Sequence, residues 1–153
     1  MFPLFVLLKR YKYQVYVHLD HPQRSFEGTS NKITVEIQRS SGATIYTHIT
    51  SGPDNPGFST GFSQFVFDCG AGEIANRVRI STDGSNGMYI DYIRLTKFYE
   101  QGGSAVVDQW GTYGGCGACL SQGNDWIGGD SCKRYGSKCW SSLTFVVGTF
   151  YFN

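Results

Sequence analysis

Tyr11-Lys-Tyr-Gln-Val-Tyr-Val-His-Leu-Asp20 alternates without a break: Tyr11, Tyr13, Val15, Val17 and Leu19 on one side, Lys12, Gln14, Tyr16, His18 and Asp20 on the other. A period of two sends successive side chains to opposite faces of a strand, so this segment buries its apolar row and presents its polar row. Ile33, Val35 and Ile37 repeat the pattern, and the turn chemistry of Arg39-Ser-Ser-Gly42 joins them to a strand over 43–49 as a hairpin. Between these strands, His21-Pro-Gln-Arg-Ser-Phe-Glu-Gly28 is a loop, as is the breaker-rich Ser51-Gly-Pro-Asp-Asn-Pro-Gly57.

Further along, Phe62, Phe65 and Phe67 lead into a strand ending near Cys69. Glu73 to Ser81 follows, with Ile74, Val78 and Ile80 opposed to Arg77 and Arg79. After the turn Asp83-Gly-Ser-Asn-Gly87, the run from Met88 to Phe98 is apolar on both sides, as expected of a central strand. Glu100 to Trp140 shows no sustained period and reads as a loop-rich, cysteine-rich insertion. Leu143 to Phe152 closes the pattern as a strand with apolar groups on both faces.

Composition agrees. The chain has 153 residues, 16% of them charged and 16% aromatic, with 20 glycines, which favours strands and tight turns over helices. One domain over 1–153 is expected, with 100–140 as its cysteine-rich loop segment; no internal repeat divides it. A net charge of +1 gives no field that would gather nucleic acid. Phe2 to Leu8 is apolar but far shorter than the ~20 residues of a membrane span. It lacks the basic start and small-residue cleavage site of a signal peptide, so a strand is expected there.

Residues 11–98 resemble the PLAT (lipoxygenase-homology) β-sandwich. The resemblance is carried by Tyr13-Gln-Val-Tyr-Val17, Gly28-Thr29, Asn31-Lys-Ile-Thr-Val-Glu-Ile37 and Gly42, then by Phe65-Val-Phe67, Gly72-Glu-Ile74, Arg77-Val-Arg-Ile80, Asp83 and Tyr89-Ile-Asp-Tyr-Ile93. It implies a two-sheet, non-catalytic domain that docks proteins, lipids or membranes, sometimes with calcium at its loop tips. The Trp usual in the family's late strand is replaced around Tyr89, and no exposed aromatic tip is identifiable. The expected fold is therefore all-β, an antiparallel jelly-roll or PLAT-like sandwich with a Gly/Cys-rich loop insertion and apolar terminal strands.

Five cysteines are present: Cys69, Cys116, Cys119, Cys132 and Cys139. Four crowd into a segment poor in core-forming residues, where disulfides would restrict the unfolded chain; this points to an extracellular or cell-surface protein. Cys116-Gly-Ala-Cys119 with Cys132 and Cys139 could instead hold zinc, although the second pair lacks compact ribbon spacing. The odd count leaves at least one thiol free or shared between molecules.

Asp83 and Asn86 in one turn, and Asp125 and Asp130 in the glycine-rich segment, are candidate calcium ligands, but neither set completes a known loop. No cofactor is expected unless calcium binds at these positions. Trp110, Trp126, Trp140, Tyr113 and Tyr135 flank the cysteines and are candidates for stacking on a ligand or wedging the loops in place. His18, His21 and His48 and the scattered carboxylates fall in no catalytic motif, so a non-catalytic protein is expected.

Two functions follow. The first is a structural protein that self-associates, as an oligomer or filament, through Phe2, Leu4, Phe5, Val6, Phe145, Val147, Phe150 and Phe152 together with the cysteine-rich segment. The alternative is a PLAT-like module that binds lipid or carbohydrate.

Overall fold

The computed structural model describes residues 11–19, 31–50, 62–69, 73–85, 88–112, 118–123 and 139–149. Among the described residues, nine strands run in chain order: β1 (Tyr11–Leu19), β2 (Ile33–Gln38), β3 (Thr44–Thr50), β4 (Phe62–Cys69), β5 (Arg77–Thr82), β6 (Met88–Tyr99), β7 (Ser104–Gly111), β8 (Ala118–Leu120) and β9 (Ser142–Val146). One sheet has the order β4-β1-β6-β7, with β8 also pairing β6, and the other β3-β2-β5-β9. All these pairings are antiparallel.

The core lies between the sheets. Tyr13, Val15, Val17, Ile93, Leu95 and Trp110 of the five-stranded sheet meet Ile33, Val35, Ile37, Val78, Ile80 and Phe145 of the four-stranded sheet, all buried. Two polar struts cross this layer. The Trp110 indole N–H donates to the Val146 carbonyl at 3.2 Å, while its ring packs 5.7 Å from that of Phe145. The Tyr13 hydroxyl donates to the Glu73 carbonyl and accepts the Ala75 N–H, both at 3.3 Å. Buried polar tips of aromatic residues require such partners, so each fixes the position of one sheet on the other.

Four expectations change. The strand expected over 73–81 begins only at Arg77, because the Tyr13 hydroxyl engages the backbone of Glu73 and Ala75; Ile74, expected on the apolar face, is 70% exposed. β9, expected as a run from Leu143 to Phe152, ends at Val146, and 150–152 of that run lie outside the described residues. Gly148 adopts φ +85°, and both the N–H and the hydroxyl of Thr149 turn back to the Val146 carbonyl.

The segment read as loop over 100–140 supplies β7 and β8. β7 pairs β6 across a turn in which Gly102 and Gly103 both have positive φ, a conformation that costs glycine little. Its alternation is hidden by a bulge: Leu95 opposes Asp108, but Thr96 opposes Val106, so Val107 is the extra residue. Within the expected hairpin, by contrast, Arg39 N–H donates to Ala43 O and Gly42 N–H to Arg39 O, and β2 pairs β3 as the turn chemistry predicts. The apolar run 1–8 lies outside the described residues.

Candidate ligand-binding face

Directly opposed residues of neighbouring strands share a face, so the register lists what the outer surface of the five-stranded sheet presents. Tyr16 of β1 opposes Arg94 of β6, which opposes Gln109 of β7; beside this row, His18 opposes Tyr92, which opposes Gly111. These two rows build a groove of about 420 Å³ lined by Tyr16, Tyr92, Arg94, Gln109, Gly111 and Thr112. The volume lies within the range of small-ligand sites. Among the described residues, none that lines it is aliphatic.

Its geometry is set by a second bulge. His18 opposes Tyr92 while Leu19 opposes Ile90, which leaves Asp91 as the extra residue of β6. His18 Nδ1 sits 2.6 Å from Asp91 Oδ1, with 3% of His18 and 0% of Asp91 exposed. The Asp91 carbonyl accepts the Thr112 N–H at 3.1 Å, tying the end of the groove to the same bulge. Gly111, at φ +82°, turns the chain there.

Within the groove, the Tyr16 and Tyr92 rings meet edge to face at 6.0 Å. The Tyr92 hydroxyl donates to Gln109 Oε1 at 3.0 Å. The Arg94 guanidinium carbon lies 5.1 Å from the centre of the Tyr16 ring, a cation–π distance. Arg94 Nε is buried with no hydrogen-bond partner, as is Thr96 Oγ1, two residues along the same face. Among the described residues Arg94 makes no ion pair.

The residues singled out from sequence are placed differently. Trp110, a candidate for ligand stacking, is 1% exposed and belongs to the core, so its ring offers no surface. Trp140 is 42% exposed beside the Leu120–Trp140 bridge. Phe145, a candidate for joining subunits, is buried in its own sandwich where β9 pairs β5, and Val147 packs against the same core.

Cys119 and Cys139 form a disulfide that fastens β8 beside Trp140. Cys69 ends β4. Asp83 accepts the Lys32 N–H at 2.8 Å, which gives its carboxylate a local structural partner. Among the described residues, no group of three His, Cys, Asp or Glu side chains is placed to hold a metal.

Cys116, Cys132, Tyr113, Trp126, Tyr135, Asn86, Asp125, Asp130, Phe2, Leu4, Phe5, Val6, Phe150 and Phe152 lie outside the described residues. The groove residues were legible only as the polar side of two strands. Tyr16, Tyr92 and Arg94 carry no motif, and Gln109 sits beyond the bulge that conceals β7.

This two-sheet arrangement is a PLAT-like, or C2-like, β-sandwich. The chain is similar to a lipoxygenase variant with an internal deletion (TM-score 0.53, 12% identity), covering 91% of this chain and 16% of that one. It is also similar to a deletion variant in complex with arachidonate (TM-score 0.51, 12% identity, 90% and 16% covered). A third similar structure is coral 8R-lipoxygenase, described as calcium-activated through a C2-like domain (TM-score 0.51, 12% identity, 90% and 17% covered). The chain thus spans about a sixth of the length of these lipoxygenases. No protein-family model and no curated protein matches it in sequence.

Proposed function

We propose that the protein is a non-catalytic, secreted binding module that takes carbohydrate on the outer face of its five-stranded sheet. The observation that supports this reading is the groove of Tyr16, Tyr92, Arg94, Gln109, Gly111 and Thr112. Two phenol rings, an amide, a hydroxyl and a guanidinium supply aromatic walls and many hydrogen-bonding groups, which suit a sugar better than an acyl chain. The groove is open, and the described residues that line it include no nucleophile–base pair, which is in keeping with binding rather than turnover. The Cys119–Cys139 disulfide is in keeping with an oxidising compartment, and no helix among the described residues is long and apolar enough to cross a membrane.

A lipid-docking reading draws on a different observation. Val66 and Val106 are exposed on the same face, in the row Val66, Gln14, Thr96, Val106, and the fold is shared with lipoxygenase domains. Glycan-array binding and liposome sedimentation, each with and without calcium, separate the two. Carbohydrate binding predicts retention on glycans, loss in Tyr92→Ala and no sedimentation with vesicles. Sedimentation without glycan retention would replace it with the lipid reading, and failure of both would remove the binding-module reading.

A further inference from the structure

We infer that the groove selects glycans bearing a carboxylate, such as hexuronates, and that Arg94 reads the charge. The inference rests on the carbohydrate reading above and names the class of sugar. Three other described arginines have oxygen partners: Arg39 with Glu73, Arg79 with Glu36, and Arg77 with the Ser40 carbonyl. Arg94 alone among these four has only a ring beneath it. A cation–π contact compensates a guanidinium less than a charge-assisted bidentate carboxylate contact does.

Among the described residues, the acids near Arg94 in the strand pairing do not fill the gap. Asp91, the bulge residue on the same strand, is held by His18, and Asp108 accepts the N–H groups of Gln109 and Gly148. Gln109 opposes Arg94 directly and uses its Oε1 to accept the Tyr92 hydroxyl, so its amide nitrogen is a donor not used in that bond, on a side chain that lines the same groove as Arg94. A planar fork of N–H donors beside an amide donor matches a carboxylate, while the tyrosines and Thr112 flank the room a sugar ring needs. An acidic peptide would satisfy Arg94 too, but it would not call for hydroxyl and phenol groups around the cation.

Calorimetric titration of the full chain with oligogalacturonate and with its fully methyl-esterified form isolates the charge, because the ester keeps the sugar. A preference of about tenfold or more for the acid is expected, shrinking as salt rises. Arg94→Gln should erase that preference, Arg94→Lys should retain part of it, and Arg79→Gln, on the other sheet, should leave it intact. Equal binding of acid and ester overturns the charge reading while sparing the carbohydrate one; no binding of either overturns both. Equally tight binding of polyglutamate would overturn it in favour of an acidic peptide. A preference that survives in a folded Arg94→Gln variant would show that another group reads the carboxylate.

Discussion

On the four-stranded sheet two arginines are paired with carboxylates: Arg79 donates to Glu36 at 2.8 Å, Glu36 also accepts the Thr44 hydroxyl, and Arg39 grips Glu73 through both carboxylate oxygens beside the β2–β3 turn, while Arg77 donates to the Ser40 carbonyl and keeps a buried Nε without a hydrogen-bond partner. On the five-stranded sheet Arg94 rests on Tyr16, and further along β6 the Lys97 ammonium lies 3.6 Å from the centre of the Tyr11 ring. The two surfaces use similar strands and similar residue types. Arg79 and Arg94 differ in whether a carboxylate stands opposite the cation. In the first case the register pairs Glu36 with Arg79; in the second it pairs Arg94 with Tyr16 and Gln109, so the charge remains available to something outside the chain.

The largest change expected is in Trp110→Ala. It removes the strut joining the sheets and should cost about 3–5 kcal/mol in urea denaturation, unsettling both surfaces together. His18→Ala comes next. Loss of the buried 2.6 Å contact with Asp91 should cost the fold about 1–3 kcal/mol, with amide shifts concentrated around Tyr92 and Thr112 and few on the four-stranded sheet.

Gln109→Glu converts one surface into the likeness of the other. The new carboxylate opposes Arg94 and can still accept the Tyr92 hydroxyl, so stability should rise by up to about 1 kcal/mol while acidic-glycan binding falls. A gain in binding would show that Arg94 is not the reader of charge. The smallest effect belongs to Glu36→Gln, about 0.5 kcal/mol by thermal unfolding, because its arginine partner is partly exposed; ligand binding should not move.

Much of the sandwich was legible because β1, β2 and β6 bury alternate residues, and a period of two survives in sequence wherever the pleat is regular. It failed where the pleat is interrupted. The bulge at Val107 broke the alternation of β7, the Tyr13 hydroxyl diverted the backbone before β5, and the turn at Gly148 ended β9 early. The candidate groove was harder to see for a different reason. Tyr16, Arg94 and Gln109 come from three strands and become neighbours only through sheet order. Trp110 misled in the opposite sense: its position near the cysteines suggested a stacking surface, yet its large apolar area is used to weld the sheets.

Backbone amide chemical-shift mapping during titration with oligogalacturonate tests most directly which surface receives ligand. Shifts clustered at Tyr16, Tyr92, Arg94, Gln109 and Thr112, with Thr34, Glu36, Arg79 and Thr144 unmoved, are expected. Shifts centred on that second group, or a spectrum unchanged at saturating ligand, would contradict the assignment of the five-stranded face as the binding site.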